Sequence, residues 1–166
     1  PIGFPMERIH LDYIGPLKTT EEKENKYILS IIDSFTRYGW AFATKKNDAN
    51  NVIKKLNEIM LIYGVPDIIF TDEGTHFTAK KVEKLLKSLS IEHIKTAAYS
   101  PHSNGICERF NATIVDILAT IAENDETNWD KYLPEAISFY NANIHSATQN
   151  SPNDLVFNYK KEMDSI

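Results

Sequence analysis

A mixed α/β fold, with helices packed over a sheet, is the class this chain predicts, on three observations. Strand-like segments come first, in three stretches between residues 9 and 44. Helical and strand-like periods then alternate from residue 52 to residue 96. The remaining C-terminal part carries helical patterns.

Residues 1–8, with Pro1, Gly3 and Pro5, read as a linker entering the domain. Residues 9–14 alternate as a strand that Gly15-Pro16 ends. On it His10, Asp12 and Ile14 share one face, and Ile9, Leu11 and Tyr13 share the other. Residues 19–26 form a polar, charged turn. Tyr27–Asp33 is a near-continuous apolar run, the pattern of a buried strand, and residues 38–44 form another. Their short connections predict an antiparallel meander. Tyr27, Phe35 and Trp40 read as core aromatics, and Asp33 is expected to pair with Arg37.

The period then changes. Val52, Ile53, Leu56, Ile59 and Met60 recur at helical spacing, and Gly64 and Pro66 end that helix. Residues 67–71 are a short strand that leaves Asp72 at its C-terminal end. Val82, Leu85, Leu86 and Leu89 mark a second helix, and residues 91–96 a further strand. A loop over residues 97–105 follows, in which Ser103 or Asn104 can cap the next helix. That helix lines up Ile106, Phe110, Ile114, Ile117, Leu118 and Ile121 in one stripe at roughly 100° per residue. Glu108 projects opposite the stripe, with Asn104 a turn before it and Asn111 and Ala112 about a turn after. It faces solvent or a cleft. Cys107 sits at the stripe's edge as a small core residue. One more helix spans about residues 129–143, and Ser151-Pro152 starts a final short one.

The bulk numbers narrow the function classes. At 166 residues the chain is one domain by length, and 42% hydrophobic with 25% charged residues is ordinary for a globular protein. No apolar run approaches a membrane span, so no membrane partner is expected. The opening Pro-Ile-Gly-Phe-Pro carries no signal peptide and no initiator Met, which reads as a fragment of something longer. A lone cysteine excludes an internal disulfide and a Cys-rich zinc site. The net charge of −5 argues against a protein whose main work is electrostatic clamping of nucleic acid. Carboxylates that hold a cation, or basic neighbouring domains, soften that objection.

Three acids stand out. Asp12 lies on the first strand, Asp72 ends a later strand, and Glu108 lies on an exposed helix face, with thirty-five residues between the last two. Singly, each has an ordinary role: Asp12 and Asp72 as turn residues, Glu108 as a solvated helix residue. Brought together, three carboxylates can hold a pair of hard divalent cations. Such a pair stabilises both the attacking and the leaving oxygen in displacement at phosphorus.

The surrounding residues resemble the catalytic core of retroviral and LTR-retrotransposon integrases. His10-Leu11-Asp12-Tyr13-Ile14-Gly15-Pro16 is similar to that family's first-strand motif, and Thr71-Asp72-Glu73-Gly74-Thr75-His76-Phe77 to its second. Residues 98–105 followed by Glu108-Arg109-Phe110-Asn111 resemble the loop and helix that carry its Glu. Trp129, Leu133-Pro134, Tyr140-Asn141, His145, Thr148 and Ser151-Pro152 resemble the downstream pattern of gypsy-type elements. The resemblance covers residues 7–158, and the core is set at 9–158, with 159–166 as a C-terminal tail or the start of a linker. Glu73, Ile106, Cys107 and Asn158 depart from the usual residues, and none of these departures removes an acid.

The resemblance implies a ribonuclease-H-like fold: a mixed five-stranded sheet with helices on both sides. It implies two Mg2+ or Mn2+ ions held by Asp12, Asp72 and Glu108, and an enzyme that trims the 3′ ends of an element's DNA and joins them to target DNA by in-line transesterification. It implies DNA contacts from the loop around Lys95, Tyr99, Ser103, Asn104 and from Asn111. His10, on the face of Asp12, is a candidate supporting residue, with a buried core histidine as the alternative. Cores of the family assemble as dimers or higher oligomers on DNA. The expected place of action is the nucleus, with cytoplasmic synthesis if the chain belongs to a mobile element. Two other functions stay open: a host-captured DNA-binding or assembly module without strand transfer, and a ribonuclease-H-like nuclease.

Overall fold

The computed structural model describes residues 3–97 and 105–163, with side chains up to residue 158. Five strands form one sheet in the order β3-β2-β1-β4-β5. They are β1 (Arg8–Ile14), β2 (Tyr27–Asp33), β3 (Gly39–Thr44), β4 (Ile68–Thr71) and β5 (Glu92–Lys95). The first three pair antiparallel, as the short connections predict. β4 then joins β1 in parallel, and β5 joins β4 in parallel. The sheet is therefore mixed, in agreement with the ribonuclease-H-like expectation.

Helices cover both faces. On one face α1 (Ala49–Tyr63), α2 (Thr75–Thr78) and α3 (Lys80–Ser88) pack on the sheet. Val52, Leu56, Ile59, Phe77, Val82 and Leu86 meet Ile9, Leu11, Leu29, Ile31 and Ile69 there. On the other face α4 (Gly105–Ile121) and α5 (Trp129–Ala142) place Phe110, Ile114, Leu118, Leu133 and Tyr140 against Ile28 and Ile32. The alternation read on β1 holds: Ile9, Leu11 and Tyr13 enter the first core, while Ile14 packs on the second.

The ends of the helices have physical causes. Asp48 caps α1 by accepting from the Asn51 N–H at 3.0 Å, and Gly64 ends it in a left-handed conformation. Ser151 caps α6 (Pro152–Met163), its hydroxyl accepting from the Asp154 N–H at 3.1 Å, with Pro152 in the first helical position. α6 is longer than the short helix expected and runs past position 158. The one-turn α2 and a 3-10 turn over Glu126–Asn128 are additions to the expected elements.

Two expectations change. Asp33 meets Arg37 through the backbone, its carbonyl accepting from the Arg37 N–H at 2.9 Å, and not through a side-chain ion pair. Its carboxylate accepts from the Thr36 N–H and hydroxyl and from the Met6 N–H, closing the β2–β3 turn, while Arg37 donates to the Ser34 carbonyl at 2.7 Å. Of the three aromatics read as core, Trp40 is buried, whereas Tyr27 and Phe35 are half-buried.

One contact fixes α4 and α5 against the sheet edge. A Cβ at Gly39 would overlap the Phe110 ring, so only glycine lets that ring close on β3. Buried Asn141 of α5 holds the same residue at both ends, accepting from the Gly39 N–H at 2.9 Å and donating to its carbonyl at 2.9 Å. Asn141→Ala leaves both backbone groups unpaired in a buried place. Urea unfolding is expected to show a loss of about 2–4 kcal/mol, from ~1–3 for each unsatisfied group less partial relief by water. A change under about 0.5 kcal/mol would show that the clamp is dispensable.

Candidate active site

The parallel ladder decides which acids meet. It pairs His10 with Phe70. Two residues further along each strand direction lie Asp12 and Asp72, on the same side of neighbouring strands that run about 4.8 Å apart. α4 crosses that side and brings Glu108. The three acids line one cavity of about 70 Å³ together with His10, Leu11, Phe70, Thr71 and Cys107.

Asp12 is the least comfortable of them. Its Oδ1 accepts from the Tyr13 N–H at 2.9 Å and its Oδ2 from the Asn111 Nδ2 at 2.9 Å. Burial pushes its pKa up to about 6, against those hydrogen bonds and with help from the negative charges of Asp72 and Glu108. Asp72 turns its Oδ1 onto the Gly74 N–H at 2.7 Å, closing the turn into α2. Glu108 is exposed, opposite the buried Cys107, Phe110, Ile114 and Leu118, as its place on the helix predicts. Glu73 is also exposed and does not line the cavity, so it is an outward turn residue.

The supporting residues divide. His10 lines the cavity but does not bond Asp12: its Nε2 lies 2.8 Å from the Ser34 hydroxyl and its ring stacks on Phe70 at 4.7 Å. Burial, and then the charge of Arg37, push its pKa down to about 4, so it is a neutral part of the floor. Asn111 is tied to Asp12, and its Oδ1 is buried with no hydrogen-bond partner. Lys95 ends β5, where its ammonium sits 2.8 Å from Glu83. Tyr99, Ser103 and Asn104, and with them the helix cap expected at Ser103 or Asn104, lie outside the described residues.

A brace absent from the sequence reading steadies the strand that leads to Asp72. His93 bridges Glu83, 3.0 Å from its Nδ1, and the Thr71 hydroxyl, 2.7 Å from its Nε2. Burial lowers the His93 pKa against the pull of Glu83, and the Thr71 hydroxyl beside it donates to the Asp72 carbonyl at 2.8 Å. The pairing spans residues distant in sequence, and no local pattern signals it.

The donor set suits a hard cation, since all three acids offer oxygen. Among the described residues no three His, Cys, Asp or Glu side chains converge tightly enough to enclose an ion as they stand.

Residues 4–101, which include Asp12 and Asp72, match the family model described as Integrase core domain. The chain belongs to the integrase core family. An uncharacterized Caenorhabditis elegans protein, K02A2.6, is 34% identical to this integrase core over 147 residues, 89% of the chain and 11% of that protein. The Pro-Pol polyprotein of simian foamy virus type 3 is 29% identical over 155 residues, 92% of the chain and 13% of the polyprotein. The integrase core thus spans only 11% and 13% of these curated relatives. Among solved structures, the HTLV-2 integrase catalytic core domain in complex with magnesium superposes with a TM-score of 0.75 at 18% identity, covering 92% of this chain and 97% of that one. At that identity the likeness establishes the fold, ribonuclease-H-like as expected.

The strained Asp12 has a measurable consequence. The folded state holds its proton up to about pH 6, whereas an unfolded Asp releases it near pH ~4. Between those values the folded chain binds more protons, so this group makes stability fall as pH rises. Asp12→Asn removes the effect, and the buried Asn111 Oδ1 gains a donor if the amide turns over. The variant is expected to melt higher than the parent at pH 7, by on the order of 2 kcal/mol, and equally at pH 4. A lower melting temperature at pH 7 would show that Asp12 carries no such cost.

Proposed function

We propose that this integrase core is a metal-dependent polynucleotidyl transferase that trims the 3′ ends of its element's DNA and joins them to target DNA by in-line transesterification. The observation that carries the reading is the shared cavity: one acid from β1, one from the end of β4 and one from α4, all facing the same space. Asp12, Asp72 and Glu108 are the residues that would hold two Mg2+ or Mn2+ ions. Bound there, the pair supplies charge stabilisation to the attacking and leaving oxygens of the phosphodiester.

The chain's own groups do the rest. Asn111 holds one oxygen of Asp12 in place and leaves the carboxylate's orientation fixed by two hydrogen bonds. Neutral His10, Phe70 and Cys107 make a floor without positive charge, so nothing competes with a cation for the carboxylates. Water or a DNA 3′-hydroxyl serves as nucleophile. Cys107 does not: it is buried, and burial, followed by the charge of Asp12, raises its thiol pKa. Magnesium in the HTLV-2 core of like fold supports the choice of cation. DNA is the proposed substrate and partner, bound by a homodimer or higher oligomer, with action in the nucleus.

The runner-up is an assembly or DNA-binding module without strand transfer. The acids, unconverged among the described residues, favour it. One experiment separates the two. Cleavage and joining of labelled DNA ends by the full-length protein that contains this core are measured in Mg2+, for the parent and for Asp72→Asn, Glu108→Gln and Asn111→Ala. The first two are expected to lose more than ~100-fold, and Asn111→Ala ~10–100-fold, the range for a group that orients a ligand. Activity that survives Asp72→Asn would refute the enzyme reading.

A further inference from the structure

We propose that a second cavity, lined by Arg37, Arg109, Thr113, Tyr140, His145 and Ser146, is a seat for a phosphate of the nucleic-acid backbone beside the carboxylate cleft. This inference rests on the functional reading above for its ligand, and on separate residues for its site.

The cavity holds about 160 Å³, roughly ten times the ~10–15 Å³ that one water needs. Its α4 wall is Ile106, Arg109, Phe110 and Thr113, the i, i+3, i+4, i+7 face next to the one that bears Glu108. Its other walls come from the β2–β3 turn, from Tyr140 of α5 and from residues 145–147. Two guanidinium groups line it and no carboxylate does. Among the described residues the lysine ion pairs engage Lys45, Lys55, Lys95 and Lys131, and no ion pair engages either arginine.

Both arginines are set to receive an anion. Arg37 donates one N–H to the Ser34 carbonyl and has further donors to spare on its planar fork. Burial, and the like charge of Arg109, disfavour its protonated form against the attraction of Tyr140 and Asp33. A half-buried cation without an ion-pair partner among the described residues is costly, and an anion between the two forks relieves that cost. Arg37 also keeps a left-handed backbone, φ 61, that asparagine or glycine would adopt with less strain. Arg109 lies back along its helix: its Nη1 is 3.6 Å from where a Cβ of Gly105 would stand. The guanidinium therefore overlies the first turn of a 17-residue helix, whose dipole adds to the positive potential.

The ligand follows from position. Glu108 and Arg109 are consecutive and both exposed on α4, so the two cavities flank one helix about 10 Å across. Phosphates of one strand recur about every 3.4 Å along a duplex axis. A strand that crosses this exposed edge of α4 with its reacting phosphate at the acids thus offers a phosphate a few steps along to the arginines. On a chain of net charge −5, such a local pair of cations supplies the grip that the surface as a whole lacks.

The test is equilibrium binding of a short fluorescent duplex with a recessed 3′ end to the full chain, without divalent metal, over a series of salt concentrations. Arg109→Gln is the main variant, since the side chain is exposed and the fold does not depend on it. Lys131→Gln is the charge-matched control, distant on α5 and paired with Glu22. Arg109→Gln is expected to weaken binding about three- to tenfold at low salt and to reduce the slope of log K against log salt by about one. Arg37→Lys is expected to keep the slope and lose affinity, because it keeps the charge and loses the fork. Lys131→Gln is expected to change neither. An unchanged slope in Arg109→Gln overturns the site. Inorganic phosphate, titrated while the arginine Nε–H signals are followed by NMR, separates the sources. Shifts of Arg37 and Arg109 that the duplex cannot displace would make this a free-anion site and overturn the backbone assignment. Because no metal is present, these outcomes stand apart from the cleavage assay: a slope change without cleavage counts against the transferase reading alone.

Discussion

The parallel pairing of β1 with β4 is the constraint on which the rest depends. Arg8, Ile9 and His10 run beside Ile68, Ile69 and Phe70, and the pairing starts where the Asp67 and Ile68 N–H groups both donate to the Glu7 carbonyl. Ile9 and Ile69, both fully buried in one core, lock the register. Side chains alternate along a strand, so a slip of one residue would turn Asp12 and Asp72 to opposite faces. The acid cluster is thus a by-product of how two isoleucines bury.

The rotation of α4 is the second determinant. Cys107, Phe110, Ile114 and Leu118 are its buried side chains, and Phe110 lies between Gly39 and Tyr140, with its ring centroid 4.8 Å from that of Tyr140. This packing sets the direction of every other residue on the helix. Glu108 goes to the acid cavity and Arg109 to the basic one. A single apolar anchor therefore assigns opposite charges to the two sides of one helix.

Asp12 shows that the site is not built for stability. A fully solvated carboxylate would cost little, but this one is half-buried, shares its cavity with two others and is held by two hydrogen bonds. Asn111 adds a second imperfection, an amide oxygen with no donor. Local rules broken together at one place fit the proposed site, and the buried apolar clusters lie on either side of it. The His93 brace and the Asp33 turn, by contrast, are polar groups with their partners in place.

The sequence by itself determined the strands and helices, because burial on a sheet or a helix face imposes a period that the side chains must show. Tyr27–Asp33, the α1 stripe and the opposition of Glu108 to Phe110 and Ile114 were all legible for that reason. So were the three acids, through motifs whose residues sit close together in the chain. Short elements were not: α2 has one turn, too few residues for a period to appear. The partner of Asp33 was misread because a carboxylate near an arginine in sequence can bond the nearer backbone instead. Only the tertiary structure decided that Asp12 and Asp72 share a face, that His10 belongs to Ser34 and Phe70, and that Arg37 and Arg109 meet across a cavity. Each of these joins residues on different elements, and their separation in space is fixed by packing between elements, which leaves no periodic trace along the chain.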